Sequence, residues 1–264
     1  MHIPFTQVDA FADRAFAGNP AAVMSLSAWL DDALLLAIAQ ENNLSETAFL
    51  APDASGAADY ELRWFTPTAE IALCGHATLA SGHVVLSSDP DRDAVTFRTR
   101  QAGVLRVARD GGGYTLALPA YAPHPRALPG VVAALGVTAV ETLWHDAGYA
   151  VAVLADEAAV RACAPDQRAL AREGRLLVIV TAPGDGSNVV SRAFTPAFGI
   201  DEDPVTGAAH AVIAPYWARR LGRDRFSAVQ ASARGGRIGC RVEGDRVILH
   251  GTCVTTIEGA FLLP

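Results

Sequence analysis

The sequence predicts an α+β fold of two pseudo-symmetric domains, each a barrel-like mixed sheet around a central apolar helix, and three observations predict it. The first is an internal repeat. "RWFTPTAEIALCGHATL" begins at Arg63 and "RAFTPAFGIDEDPVTGAAHAV" at Arg192, so that Phe65-Thr66-Pro67 recurs as Phe194-Thr195-Pro196 at an offset of 129 (194 − 65). Gly75 recurs as Gly207 at 132 (207 − 75), and "GNPAAV" (18–23) is echoed by "GYAVAV" (148–153) at 130. Offsets near half of 264 residues signal a duplicated domain rather than a solenoid. The second observation is that each half carries a helix of small apolar residues suited to the inside of a curved sheet. The third is "PAYAPHPRALPG" (119–130), whose four prolines read as a linker. The expected domains are 1–118 and 131–264, with the last strand free to cross back to the first.

Each element has its own signal. "SAWLDDALLLAIAQEN" offers Ser27 as N-cap, acids in the first turn, and Leu30, Leu34 and Ile38 at helical spacing. "LSETAFLA" (44–51) and "YELRWF" (60–65) read as strands. "GHATLASGHVVL" reads as the first central helix. In the second half "LLVIVTAP" reads as a strand, and a helix runs from about Thr206 to Leu221. Gly222 stops it after Arg219 and Arg220, and Pro215 inside it is expected to kink it. "GGRIGCRVEGDRVILHGTCVT" supplies closing strands around an "EGD" turn.

Composition bounds the function. The 21 Lys and Arg against 28 Asp and Glu give a net charge of −7 without basic runs, which argues against nucleic acid or an anionic membrane as partner. Four scattered cysteines (Cys74, Cys163, Cys240, Cys253) without a CxxC pair point to reduced thiols and a cytoplasmic setting. "MHIPFTQVDAF" does not read as a signal peptide, and "LLVIV" (176–180) is far too short to span a bilayer.

The chemistry centres on "LCGHATLASG" (73–82). A metal site is not expected: His83 lies seven residues beyond His76, a helical rise of about 10.5 Å, and Cys74-x-His76 lacks a second ligand cluster. As a nucleophile–base pair, Cys74 and His76 are too close in sequence for attack geometry, and Cys74 reads first as a small buried residue. A racemase thiol activated at a helix N-terminus stays open. Gly75 and Gly207 each sit where a helix begins, either as plain tight turns or as two anion-binding helix ends that together grip a carboxylate. Strand alternation puts Glu46 on one face with Leu44 and Ala48. Glu46 therefore sits either at an exposed edge or in surroundings that let it take and give a proton near neutral pH. Asp201, Glu202 and Asp203 precede Pro204, where acids complement a helix start, and His210 is expected to pack within its helix.

Four phrases in order, "VDAFADRAFAGNPAAV", "IAQENNLSETAFL", "RWFTPTAEIALCGHATLA" and "RAFTPAFGIDEDPVTGAAHA", resemble the PhzF-like family of phenazine biosynthesis, within the diaminopimelate-epimerase fold. The resemblance runs from residue 8 to residue 211 and implies two pseudo-symmetric domains with the active site in the cleft between them. It implies cofactor-independent isomerisation by proton transfer, characterised in the family on a dihydro-hydroxyanthranilate. By resemblance Glu46 is the acid/base, His76 and Asp203 are the further catalytic groups, and Gly75, Gly207 and Ala208 line the substrate. Where the family usually reads TGSAH this chain reads "TGAAH", so Ala208 lacks a hydroxyl whose hydrogen bond is worth about 0.5–1.5 kcal/mol. The phenazine substrate is therefore not carried over with the fold. The fold's racemases use two cysteines, but here Cys74 is matched by Thr206, a poor base at neutral pH.

The expectation is a cytoplasmic isomerase that needs no cofactor or metal and acts on a small carboxylate-bearing molecule, without nucleic-acid or membrane partners. A homodimer is implied by the family. The alternatives are a one-base amino-acid epimerase or racemase, and a non-catalytic ligand- or protein-binding member of the fold.

Overall fold

The computed structural model describes residues 1–263. The chain forms two compact units, Met1–Ala117 with the residues from His250 onward, and Leu118–Leu249. In chain order the first half holds β1 (His2–Ala10), β2 (Asn19–Ser25), α1 (Asp32–Asn42), β3 (Glu46–Pro52), β4 (Tyr60–Phe65) and β5 (Glu70–Ile71). These are followed by α2 (Gly75–Ser88), β6 (Ala94–Arg98), β7 (Val104–Asp110) and β8 (Gly113–Pro119). The second half opens with β9 (His124–Pro125), α3 (Pro129–Leu135), β10 (Glu141–His145), β11 (Tyr149–Val153), α4 (Glu157–Ala162) and α5 (Gln167–Arg172). It continues through β12 (Leu177–Pro183), β13 (Val189–Thr195), β14 (Ile200–Asp203), α6 (Gly207–Leu221), β15 (Arg225–Gln230), β16 (Gly236–Glu243) and β17 (Arg246–Gly251). Last comes β18 (Cys253–Leu262), antiparallel to β1 and so part of the first unit.

The duplication is written in the pairing. In the first unit the order is β18-β1-β2-β3-β4-β6-β7-β8, antiparallel except for the β2–β3 and β4–β6 pairs, which are parallel. The second unit repeats it as β9-β10-β11-β12-β13-β15-β16, with parallel pairs β11–β12 and β13–β15 in the same places. The expected α+β duplication is thus present, with the parallel pairs at the same places in both orders. The segment 119–130, read as a linker, instead carries β9 and leads into α3.

Each sheet buries both faces along its central strands, β2 and β3 in the first unit and β11 and β12 in the second. On the outer face of the first unit, Leu35 and Ile38 of α1 pack on Ile3, Met24, Phe49, Ala51 and Phe65. The opposite face closes on α2, which touches β1, β2, β3, β6, β7 and β18 and is buried without a break from Gly75 to Gly82. A helix enclosed this way needs small residues. A Cβ on Gly82 would stand 2.4 Å from a Val107 methyl, inside any van der Waals contact. In the second unit α3, α4 and α5 cover the outer face through Leu135, Val160 and Leu170, and α6 is the buried central helix. α6 remains helical across Pro215, and Gly222, at φ 65°, caps it as the sequence indicates.

One boundary differs. α1 begins at Asp32 with Asp31 as its N-cap residue, rather than at Ser27. Trp29 is drawn the other way, its indole N–H donating to Glu61 of β4, so 27–30 forms the approach to the helix and not its first turn.

Candidate active site

Strand order decides the position of Glu46. β3 lies between β2 and β4, so Glu46 is on an interior strand, paired with Ala21, and is only 8% exposed. Of the two alternatives open in the sequence, the exposed edge is removed. Period-two alternation sends Phe49 and Ala51 to the outer core with α1, and Glu46 and Ala48 to the face covered by α2.

His76, in the first turn of α2, meets it there. Its Nε2 lies 3.0 Å from Glu46 Oε2. Nδ1 lies 3.1 Å from the side-chain nitrogen of Asn19 and 3.5 Å from Cys74 Sγ. All four residues are buried. Burial disfavours a charged ring, but its neighbours Cys74 and Glu46 outweigh that penalty, and the His76 pKa stands well above that of free histidine. Burial, reinforced by the Glu46 charge, pushes the Cys74 thiol up to about 11. At neutral pH Cys74 is therefore a neutral thiol. An activated racemase thiol is absent at this position.

Asn19 was not singled out in the sequence. It is held by the turn before β2: Gly18 has φ +66°, and a Cβ there would lie 2.2 Å from the Ala10 carbonyl oxygen. Asp9, itself buried, accepts the Phe16 N–H at 2.8 Å and fixes the same loop. The available signal was two polar residues, Asp9 and Asn19, set among apolar strand residues.

His83 is elsewhere. Its Nδ1 meets the Tyr114 hydroxyl at 3.0 Å and its Nε2 the Thr255 hydroxyl at 2.9 Å, so neither nitrogen faces Cys74 or His76.

In the second unit Asp203, Gly207 and Ala208 gather at the start of α6. Asp203 is buried and accepts a hydrogen bond from the Thr206 hydroxyl. The Gln230 amide ties the junction, donating to the Asp203 carbonyl at 2.7 Å and accepting the Thr206 N–H at 2.8 Å. Neither α2 nor α6 has an acidic residue in its first turn or a hydrogen-bonding N-cap side chain. Gly75 and Gly207 thus open helices whose own first turns carry no acid, the carboxylates beside them, Glu46 and Asp203, coming from β3 and β14. Glu202 does not serve the helix start. It forms a two-bond pair with Arg192 at 2.7 and 2.9 Å, the counterpart of Glu70 with Arg63 at 2.8 Å twice. His210 packs fully buried in α6 as expected, with Nδ1 on the Thr206 carbonyl at 2.9 Å, and burial lowers its pKa to about 4.

The sequence matches the family described as phenazine biosynthesis-like protein (PhzC-PhzF) over residues 8–259. The chain belongs to the PhzF-like family. A Pseudomonas aeruginosa protein named an uncharacterised isomerase is 47% identical over the full length of both chains. A crystal structure of a PhzF-family phenazine biosynthesis protein from Enterococcus faecalis is 43% identical, covers all of both chains and superposes with a TM-score of 0.92. A hydroxyproline epimerase from Agrobacterium vitis, 13% identical, shares the fold with a TM-score of 0.65 over 98% of this chain and 92% of its own. This PhzF-like protein is an isomerase with a diaminopimelate-epimerase type of fold. Among its described residues no helix is long and apolar enough to cross a membrane.

Proposed function

We propose that this PhzF-like protein moves a proton between two positions of a small carboxylate-bearing substrate, with Glu46 as the group that takes and returns it. The observation that supports this is the buried Glu46–His76 pair. A carboxylate held off water beside a cationic ring is placed to act as base, and the ring can donate a hydrogen bond to charge that develops on the substrate. The reading gives Asp203 a second proton-exchanging and orienting role. The N–H groups at Gly75 and Gly207 receive the substrate carboxylate, and the backbone at Ala208 lines the same place without a side-chain hydroxyl. It requires water to be kept from the intermediate during transfer. No step calls for a coenzyme.

An epimerase outcome is the competing reading, favoured by the fold shared with the hydroxyproline epimerase. The neutral Cys74 and its counterpart Thr206 would make it a one-base reaction on Glu46. Incubation with candidate carboxylates in heavy water, followed by proton NMR and chiral chromatography, decides between them. Deuterium at carbon with a shifted double bond and altered ultraviolet absorption supports the isomerase. Deuterium with only inverted configuration supports the epimerase. A ligand that binds and never exchanges would contradict both.

A further inference from the structure

The cluster around His76 has a property that the proton-transfer reading does not use. One ligand atom each from Glu46, Cys74 and His76 lie within 4.8 Å of one another, and all three residues are buried. His76 Nε2 is 3.0 Å from Glu46 Oε2 and 4.0 Å from Cys74 Sγ. Tetrahedral zinc, with bonds of about 2.0–2.3 Å, sets neighbouring ligand atoms about 3.3–3.8 Å apart, so sub-ångström side-chain shifts suffice. A second feature points the same way. Glu46 Oε2 is sealed from solvent and makes no hydrogen bond of acceptable geometry despite its closeness to the ring. A third is the Asn19 amide at 3.1 Å from Nδ1, which, turned to present its oxygen, gives the ring the outer hydrogen bond that zinc-bound histidines usually have.

We propose that Glu46, Cys74 and His76 form a binding site for a borderline-soft divalent cation of the zinc type, with Asn19 orienting the ring. The charge balances. The resting cluster holds a carboxylate, a thiol and an imidazolium; the cation displaces one proton from Sγ and one from Nε2, both to solvent. It leaves carboxylate, thiolate and neutral imidazole around a doubly charged ion. Three protein ligands leave a fourth position open. If Glu46 is the base of the proposed reaction, a bound cation takes its lone pair, so occupancy and proton transfer exclude each other and zinc is an inhibitor.

The test is titration of the purified full chain with Zn2+ by calorimetry and with Co2+ by absorption, for the wild type and the Cys74→Ser, Glu46→Gln and Cys163→Ser variants. Thermal unfolding checks each variant's fold. One ion per chain is expected, together with a thiolate-to-cobalt charge-transfer band. Cys74→Ser should abolish the band and weaken binding more than about tenfold. Glu46→Gln should weaken binding similarly and keep the band, while Cys163→Ser, whose thiol lies in the second unit, should change neither. Absence of uptake, or uptake undiminished in both site variants, would overturn the site. With any ligand whose deuterium exchange depends on Glu46, one equivalent of Zn2+ should stop exchange and a chelator restore it. Exchange that continued with the ion bound would overturn the exclusion. The cation readout and the deuterium readout are separate, so failure of one proposal leaves the other standing.

Discussion

Glu46, His76 and Cys74 illustrate how burial and charge assign different tasks to neighbouring residues. The thiol, the most reactive of the three in isolation, is silenced by desolvation and by the carboxylate beside it. In the folded protein at pH 7, Cys74 should alkylate with iodoacetamide far more slowly than in the urea-unfolded chain, as read by mass spectrometry of its peptide. Rapid labelling of the native protein would contradict its assignment as a neutral buried thiol. The two buried histidines predict opposite pH limbs of stability. His76 has its pKa raised in the fold, so its contribution is complete below about 6.5 and is lost as pH rises through the folded value. His210 has its pKa lowered to about 4, so the unfolded chain takes the proton first. Stability then falls by up to about 3 kcal/mol as pH drops from about 6.5 to about 4. Urea unfolding across pH should show His76→Gln flattening the alkaline limb and His210→Gln the acid limb. Unchanged profiles would refute both assignments.

Among the elements, local pattern was informative where neighbours reinforce it. The strand at 60–65 and the central helices from Gly75 and Gly207 lie where composition places them, because their apolar runs are buried on every side. The α1 start was misread because Ser27 is a good cap in isolation, while Trp29 finds a partner on β4. Glu46 stayed ambiguous because alternation gives a face but not the strand order, which comes from pairings distant in sequence. The repeated Arg-x-Phe-Thr-Pro phrase proves structural. Arg63 bridges β4 to Glu70 of β5, and Arg192 bridges β13 to Glu202 of β14; each guanidinium also lies about 5 Å above a phenylalanine two residues on. Glu70→Ala strands the buried Arg63 with only the exposed Asp32 as partner, and should cost about 1.5–3 kcal/mol in chemical denaturation. A loss below about 0.5 kcal/mol, the scale of an exposed ion pair, would show the pair to be incidental. Gly18→Ala combines a positive φ with a clash against the Ala10 carbonyl, so it should destabilise by more than about 1 kcal/mol. It should also displace Asn19 from His76, a change visible in the imidazole NMR shifts.

For the whole molecule, the duplication copies the scaffold and not the chemistry. Matching the strand registers, Thr47 opposite Phe65 corresponds to Val178 opposite Phe194, so Glu46 is answered by Leu177. Gly75 and Gly207 align, and His76 is answered by Ala208. The buried Glu46–His76 pair therefore has no counterpart at the matching positions of the second unit, which brings Asp203 at the start of α6. This asymmetry was legible only in part: the repeat exposed the fold, yet which copy kept its polar residues emerged from burial and contact. If the α6 start receives the substrate carboxylate, Ala208→Ser should tighten ligand binding by up to about tenfold through one added hydrogen bond, measured by calorimetry. Weaker binding in that variant would place the carboxylate elsewhere.

The central claim is that Glu46 carries the proton. Its most direct test is deuterium incorporation at carbon, followed by NMR in heavy water, for wild type and Glu46→Gln with the same bound carboxylate substrate. Incorporation by the wild type, and its loss by at least about a hundredfold in the glutamine variant with binding retained, is the predicted result. Undiminished incorporation in Glu46→Gln would contradict the account.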